Sequence, residues 1–261
     1  MKISVVTVVY NAVNDIERTI KSIIKQQGVN LEYIVIDGGS TDGTLAILER
    51  YKSFITTLIS EPDKGIYDAM NKGLALTTGD WIQFKNAGDW FVEGALIAFQ
   101  NFAFQYPEVK VIYGNTLKIW ELEPLKTSTI IGDHHQLNQR CTVDHRTSFF
   151  QGDWHRANPY DTNLKWVADY KLLLKTYLEN PQSLLNLNEP IAYMQQGGAS
   201  DSLKVYDEIY EVQVELLGTE YAQNIRKKLL KAAKRKQLKD RVLRTLLGNK
   251  GFQKFKSRNQ K

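Results

Sequence analysis

The stretch ISVVTVVYNAVNDIERTIKSIIKQQGVNLEYIVIDGGSTDGT, residues 3–44, decides the fold. It begins with a β-branched, almost continuously apolar run at 3–9, which predicts a strand buried on both faces. Isoleucines then recur at helical spacing over 16–24, and residues 31–36 form a second apolar run. A buried strand, a helix and another buried strand predict a βαβ unit with parallel strands.

The alternation of strands and helices continues to about residue 115. The predicted strands are 54–59, 81–84 and 109–113, and the predicted helices are 45–51, 66–76 and 95–104. This rhythm predicts a Rossmann-like, mostly parallel sheet with helices on both faces, in which ligands bind beyond the carboxyl ends of the strands. The period is lost over 116–165, which favours short strands and loops. A helix at 167–178 and a strand at 191–194 follow.

Composition excludes several classes of protein. The 261 residues include one cysteine, Cys141, so neither an internal disulfide nor a cysteine-rich zinc site is expected. This favours a reducing, cytoplasmic setting. No run of about eighteen apolar residues is present, so no membrane-spanning helix is predicted. The apolar stretch at the first residues is too short and too β-branched for the hydrophobic region of a signal peptide, and we interpret it as a strand.

The net charge of +5 combines two oppositely charged parts. Residues 1–220 carry a net charge of −9, whereas residues 221–261 carry 15 Lys and Arg, one acid and a net charge of +14. From about residue 203 the composition predicts an amphipathic helical tail, with leucines roughly on one face. Such a tail can lie on an anionic membrane, pack as a solvated helix or bind nucleic acid. Its leucines and phenylalanines favour the membrane, and we expect no nucleic-acid partner.

Polar residues follow four of the predicted strands. They are Tyr10-Asn11, DGGSTDG at 37–43, EPDKG at 61–65 and NAGD at 86–89. Any one of them is explained equally well as an ordinary polar turn. Four at one sheet edge predict a site for a phosphorylated ligand, where an aromatic ring stacks on a base and a carboxylate holds a divalent cation. Neither GxGxxG nor GxxxxGK(S/T) is present, which disfavours dinucleotide oxidoreductases and P-loop proteins.

Taken together, these motifs resemble family 2 glycosyltransferases, the inverting enzymes of GT-A fold that use nucleotide-sugar donors. The resemblance rests on VTVVYNA at 6–12, IDGGSTDGT at 36–44, EPDKGIYDAMNKGLALTTGDWIQF at 61–84, NAGD at 86–89, ADY at 168–170 and GGAS at 197–200. These motifs span about the first 200 residues in the family's order. The chain is most similar to bacterial enzymes that assemble colanic-acid-like or lipopolysaccharide chains.

The resemblance implies a nucleotide-sugar site at the strand ends. Its members are Thr7, Tyr10, Asn11, Asp37, Gly39, Asp68, Lys72 and Asn86. Asp89 matches the last acid of the family's metal motif, which implies Mn²⁺ or Mg²⁺ at the donor diphosphate. Gly88 stands where many members have a second acid, which leaves one carboxylate fewer for the metal.

Asp169 matches the family's catalytic base, which takes the proton of the acceptor hydroxyl. From its position alone, an acid near the start of a helix is explained first by a favourable interaction with the helix dipole. Glu189 and Asp161 are weaker candidates. His145 is a candidate on the acceptor side. Gly197 and Gly198 match a loop that closes over the diphosphate, with a plain turn as the alternative.

These expectations divide the chain into a glycosyltransferase domain at 1–202 and a basic helical extension at 203–261. Within the domain, 1–115 is the nucleotide-sugar half and 116–202 the acceptor half. The expected function is transfer from a UDP-sugar to a glycan or lipid-linked acceptor in bacterial surface polysaccharide synthesis, at the inner face of the cytoplasmic membrane. One alternative is a non-catalytic protein of this fold that binds partners through its tail. Another is a sugar nucleotidyltransferase, which would need a Gly-rich phosphate loop that 6–12 lacks.

Overall fold

The computed structural model describes residues 1–120, 126–194 and 204–259. The strands are β1 (Lys2–Val9), β2 (Asn30–Asp37), β3 (Thr57–Ser60), β4 (Trp81–Phe84), β5 (Trp90–Phe91), β6 (Val111–Trp120), β7 (Lys126–Ile130), β8 (Ser148–Gln151) and β9 (Leu184–Met194). The helices are α1 (Ile16–Ile24), α2 (Thr44–Arg50), α3 (Ile66–Leu76), α4 (Ala95–Ala103), α5 (Gly152–Ala157), α6 (Ala168–Glu179), α7 (Lys204–Leu217) and α8 (Thr219–Asn259). The described strands form one sheet in the order β3-β2-β1-β4-β8-β6-β9-β5, with β7 paired to β6. The predicted α/β architecture is confirmed.

The first four strands are parallel and place their carboxyl ends at one edge. β1 pairs with β2 on one side, where Val9 lies opposite Asp37, and with β4 on the other, where Val6 lies opposite Phe84. The chain adds β2 and β3 on one side of β1 and then crosses to add β4 on the other side. Such a reversal of strand order opens a crevice beyond the strand ends, where ligands of open α/β sheets bind.

The second half of the sheet mixes directions. β8 is antiparallel to both β4 and β6, whereas β9 is parallel to β6 and antiparallel to β5. The strand predicted at 191–194 is the end of the longer β9. Its earlier part reads NLNEP at 186–190, which lacks the apolar alternation of a strand, and it extends because β6 supplies the hydrogen bonds.

Two cores cover the two faces of the sheet. One contains residues of α3, α6 and α7, and the other residues of α1, α2 and α4. Position 73 of α3 requires a glycine, because a Cβ at Gly73 would overlap Val6 of β1. Helix α3 therefore packs directly against the central strand, which fixes its position relative to the crevice.

The C-terminal helices differ in how they are supported. Val205, Ile209 and Val212 of α7 lie in the same core as α6, and α8 turns back on α7 after Gly218, whose φ is +88°. Ala222 and Ile225 at the start of α8 are buried. Gly248 interrupts α8 with φ 64° and ψ 174°. Across the described ranges, no helix has both the length and the apolar composition needed to cross a lipid bilayer.

The expectation that the tail leucines share one face is wrong. Leu229 and Leu238 are nine residues apart, which is about half a turn out of phase at 3.6 residues per turn. Leu229 is half-buried beside α7, whereas Leu238 and Leu246 are 65% and 74% exposed. The apolar residues of α8 thus divide into a packed group and an exposed group.

His155 of α5 makes stability depend on pH. The side chain is fully buried between the rings of Phe84, Phe150 and Tyr160, and its Nδ1 lies 3.1 Å from the carbonyl oxygen of Asn158. Burial lowers the pKa of His155 to about 4. Because the unfolded chain binds this proton near pH 6.5 and the folded chain does not, stability falls as pH drops from 6.5 towards 4.

We expect His155 to account for about 3 kcal/mol of the stability lost over that interval. The free energy of unfolding in urea, measured between pH 7 and pH 4, should fall less in His155→Phe than in the wild type. Equal pH slopes in the two proteins would contradict the assignment.

Candidate active site

The four polar loops that follow the strands converge at one corner of the sheet. Past β4, the backbone N–H groups of Lys85 and Ala87 donate to the carbonyl oxygens of Val6 and Val8, so the 86–89 segment runs alongside β1. After β2, Gly38 N donates to Val9 O. The loop after β3 joins because Glu61 N donates to Asp37 O. The predicted convergence is therefore present.

Tyr10 and Asn11 form an exposed edge of this corner. The Tyr10 ring is 63% exposed, so its face is available for stacking. Asn11 has a φ of 47° and is held on both sides, since its N–H donates to Ser40 Oγ at 2.8 Å and its Oδ1 accepts from Thr41 N at 2.9 Å. These bonds fix the end of β1 against the loop after β2.

Thr7 and Asp37 lie beneath this edge. Both are fully buried. Thr7 accepts a hydrogen bond from Tyr33 OH at 3.2 Å, and Asp37 accepts from Ser40 Oγ at 2.5 Å and Ser60 Oγ at 2.6 Å. The Asp37 carboxylate thus joins the loop after β2 to the end of β3 and shapes the floor of the corner, whereas Thr7 is bonded within the sheet. Gly39 follows with a φ of +82°, a conformation that favours glycine.

Asp68 and Lys72 of α3 organise the 61–65 loop. Asp68 accepts a hydrogen bond from Lys64 N at 2.9 Å. Lys72 Nζ lies 2.8 Å from Glu61 and 3.8 Å from Asp68, and it donates to Pro62 O at 3.0 Å. The hydrogen bond to Glu61 raises the pKa of Lys72. The cation therefore stays charged at the rim of the crevice.

Asp169 occupies the first turn of α6 and faces the crevice. Its Oδ1 accepts from Tyr67 OH at 2.9 Å, and its Oδ2 lies 3.3 Å from His145 Nδ1. Burial acts to raise the pKa of Asp169, but the hydrogen bonds from His145 and Tyr67 outweigh it, and the net shift is downward. The carboxylate is therefore ionised at neutral pH, although its side chain is only 13% exposed.

His145 connects Asp169 with the 86–89 segment. While its Nδ1 faces Asp169, its Nε2 lies 3.3 Å from Asn86 Nδ2 and 4.0 Å from Asp89 Oδ2. Burial acts to lower the pKa of His145. The hydrogen bond to Asp169 and the negative charges of Asp169, Asp144 and Asp89 outweigh it, so the pKa is raised overall. The imidazole thus lies between Asp169, the candidate base, and Asp89, the candidate metal ligand.

Asp89 is the acid at the far end of this bridge. Its side chain is 14% exposed, and Arg146 Nη1 lies 3.6 Å from Oδ1. Burial raises the pKa of Asp89, although Arg146, His145 and Lys85 act in the opposite direction. The main chain is held as well, because Thr19 Oγ1 donates to Asp89 O at 2.8 Å.

The turn that carries His145 and Arg146 was not foreseen as a unit. Asp144 accepts from Arg146 N at 3.0 Å and pairs with its guanidinium at 2.8 Å. The fully buried Lys85 donates to Arg146 O at 2.5 Å and lies 4.0 Å from the Phe91 ring centre. Burial lowers the pKa of Lys85 to about 7. The sequence indicated this contact only through the position of Lys85, a lysine between a buried strand and NAGD.

Asp161 and Glu189, the weaker candidates for the base, have other surroundings. Asp161 accepts from Lys171 Nζ at 2.9 Å, and Glu189 is exposed in β9. Gly197 and Gly198 lie outside the described residues. Tyr67 was missed as a partner of Asp169, although it stands inside the 61–84 motif; nothing in the sequence pairs it with a residue 102 positions away.

The donor set at Asp89 fits a hard divalent cation. Among the described residues no group of three or more His, Cys, Asp or Glu side chains is arranged to hold a metal. Asp89 offers a carboxylate whose nearest cationic nitrogens are 3.6 and 4.0 Å away, and the buried Oδ1 of the adjacent Asn86 has no hydrogen-bond partner in the described part of the chain. A carboxylate and an amide oxygen suit Mg²⁺ or Mn²⁺ when phosphate oxygens and water complete the shell.

Comparison with known sequences places this corner in context. Residues 4–163 match the model of glycosyl transferase family 2. An uncharacterized glycosyltransferase of Mycobacterium tuberculosis is 30% identical over 186 residues, which cover 67% of this chain and 69% of the relative. The Escherichia coli enzyme WfgD, a UDP-Glc:alpha-D-GlcNAc-diphosphoundecaprenol beta-1,3-glucosyltransferase, is 27% identical over 191 residues, covering 70% of this chain and 73% of WfgD.

Solved structures share the fold. Residues 1–349 of S. aureus TarS in complex with UDP-GlcNAc superpose with a TM-score of 0.66 at 18% identity, covering 88% of this chain and 72% of that one. The mannosyltransferase PcManGT of Pyrobaculum calidifontis, in complex with GDP-Man and Mn²⁺, gives 0.59 at 15% identity, with 88% and 74% covered. At these identities the likeness establishes the GT-A arrangement of sheet and helices.

Proposed function

Because this chain belongs to glycosyl transferase family 2, we propose that it transfers a sugar from a UDP-sugar to a hydroxyl of a glycan or lipid-linked acceptor, with inversion at the anomeric carbon. The observation that carries the proposal is Asp169, an ionised carboxylate held by Tyr67 and His145 at the mouth of the crevice. The named substrate of WfgD, a diphosphoundecaprenol-linked sugar, supports an acceptor of that class and a role in bacterial surface polysaccharide synthesis.

The proposed reaction is a single displacement. Asp169 accepts the proton of the acceptor hydroxyl while that oxygen attacks the anomeric carbon from the side opposite the leaving diphosphate. Tyr67 and His145 orient the carboxylate. Tyr10 stacks on the base, Asn11 and Gly39 shape the nucleoside pocket over Thr7 and Asp37, and the loop braced by Asp68 and Lys72 borders the nucleotide.

At the leaving group, Asp89 and Asn86 would hold the divalent cation. When bound, the metal supplies positive charge to the departing nucleoside diphosphate. Arg146, 3.6 Å from Asp89, adds a fixed positive charge at the same corner. In this proposal the base stands at one end of the His145 bridge and the groups that stabilise the leaving diphosphate stand at the other.

A donor panel tests the proposal. Purified protein with MnCl₂ is incubated with UDP-glucose, UDP-GlcNAc, UDP-galactose or GDP-mannose, with and without a synthetic lipid-diphosphate-linked GlcNAc, and nucleoside diphosphate release and product are measured. We expect UDP release that increases with acceptor for one UDP-sugar. If UDP with Mn²⁺ binds in calorimetry but no donor turns over with acceptor, the result favours the non-catalytic alternative.

We further propose that the protein works at the inner, anionic face of the cytoplasmic membrane through residues 221–261. The support is chemical: 15 basic residues accompany one acid, and Leu238, Val242, Leu246 and Leu247 are exposed. Lysines and arginines near an anionic surface contribute about 1 kcal/mol each, and buried leucines add to this.

Vesicle co-sedimentation measures this binding. The full chain should sediment with phosphatidylglycerol vesicles and be released by salt, and it should not sediment with phosphatidylcholine. Leu238→Ser/Leu246→Ser should weaken sedimentation, whereas Leu178→Ser, at an exposed leucine of α6, should not. Equal binding by the full chain and a chain ending at residue 220 would remove the membrane proposal.

A further inference from the structure

Helix α7 lies beyond the part of the chain that matches the family model, yet it contacts the segment that carries Asp169. The family model ends at residue 163, and α7 begins at Lys204. Its buried residues Val205, Ile209 and Val212 share a core with Ala168 and Tyr170. These are the two neighbours of Asp169 in the chain, so α7 and the residues that flank Asp169 belong to one core.

Hydrogen bonds also join α7 to the segment that precedes α6. Glu208 accepts two consecutive backbone N–H groups, from Lys165 at 2.9 Å on Oε1 and from Trp166 at 2.7 Å on Oε2. Both oxygens of one carboxylate are therefore used to hold the chain just before α6. Charge-assisted bonds of this kind are stronger than neutral ones and fix orientation as well as distance.

Two further ties connect α7 with α6. Lys171 Nζ lies between Asp161 at 2.9 Å and Glu215 at 2.7 Å. The buried Gln213 donates to Tyr170 OH at 3.0 Å, which in turn donates to Leu137 O at 2.8 Å. The first turn of α6 is thus bonded to α7 on both sides of Asp169.

We infer that Glu208 is a positioning residue for the catalytic base: by holding the backbone at 165–166, it sets where Asp169 stands relative to Tyr67 and His145. This inference rests on the proposed function, since it concerns the base of that reaction. A displacement of about 1 Å in a reacting group can cost about 100-fold in rate, so a hydrogen bond outside the crevice can control turnover.

The test is Glu208→Gln in the full chain. The amide keeps the shape of the side chain but has one acceptor oxygen, and its NH₂ group opposes the second backbone N–H. We expect kcat to fall by about 10- to 100-fold while donor KM and UDP affinity stay within about two-fold, because the donor corner lies on β1, β2 and α3. Glu211→Gln, an exposed acid on the same helix, is the matched control and should keep wild-type kcat.

A spectroscopic measurement separates positioning from general loosening. The imidazole signals of His145, assigned by comparison with His145→Gln, should shift in Glu208→Gln and not in Glu211→Gln, because Asp169 has moved relative to Nδ1. If Glu208→Gln does not fold, the same measurements are made on Lys171→Met, which removes the ion pairs of Lys171 with Asp161 and Glu215.

Wild-type kcat in Glu208→Gln would overturn this inference, as would equal losses of kcat and UDP affinity. Asp169→Asn is assayed in parallel. Should that variant remain active, the proposed function fails whatever Glu208 does; should it be inactive while Glu208→Gln is fully active, only the positioning role fails.

Discussion

Asp169→Asn should lower kcat by about 10³-fold, within the range expected for loss of a general base. The amide cannot take the acceptor proton, and its NH₂ group must face either Tyr67 OH or His145 Nδ1, both of which now donate to the carboxylate. UDP binding in calorimetry should stay within about two-fold of the wild type, since the donor corner does not include α6. Weak UDP binding by this variant would contradict the assignment.

The matched control for Asp169 is Glu189→Gln. Glu189 is one of the two weaker candidates for the base, and it is exposed in β9. The same change from acid to amide there should leave kcat within about two-fold of the wild type. If Glu189→Gln instead abolishes transfer, the roles of the two acids are reversed.

Asp89→Asn should lower kcat/KM by about 100-fold or more, comparable to removing a group that stabilises charge in the transition state. The variant keeps an oxygen at the position but loses the negative charge that attracts a divalent cation. In calorimetry, adding Mn²⁺ should tighten UDP binding by the wild type and should have little effect on the variant. Equal Mn²⁺ enhancement in both proteins would show that the cation does not depend on Asp89.

Two variants complete the Asp89 test. Asp15→Asn removes an exposed acid that pairs with Arg18 and lies beside Gly88, and it should behave as wild type. Gly88→Asp should not strengthen metal binding, because Gly88 has a φ of +96°. A side chain in that region of backbone conformation costs about 1–3 kcal/mol, so the missing second acid cannot simply be restored.

The parallel half of the fold could be predicted from the sequence because its signals are local. β1 and β2 are mostly apolar runs, and α1 shows isoleucines at helical spacing between them. The first part of β9 escaped prediction because Asn186, Asn188 and Pro190 interrupt the apolar alternation of a strand. Its strand character comes from the partner β6, which lies more than sixty residues earlier in the chain.

The candidate site, like the fold, could be predicted only where the sequence pattern is local. Turn residues at the strand ends indicated the donor corner, and Asp89 and His145 lie close together as members of one cluster. The exposure of each residue did not follow from its type: Asp37 and Thr7 were expected to line the pocket and are fully buried beneath it. Tyr67, Arg146 and Glu208 were missed because each acts on a residue distant in sequence or on a backbone group, and side-chain patterns carry no trace of either.

Helix α3 contacts both halves of the site through consecutive residues. Tyr67 bonds to Asp169, Asp68 braces the 61–65 loop, and Gly73 seats the helix on β1. A mutation that tilts α3 to change the proposed donor loop would also move the phenol that holds the proposed base, so we expect selectivity and turnover to change together through this helix. Engineering of donor choice should therefore begin at Tyr10 and Asn11, which lie outside α3 and where Asn11 is bonded to the 40–41 loop.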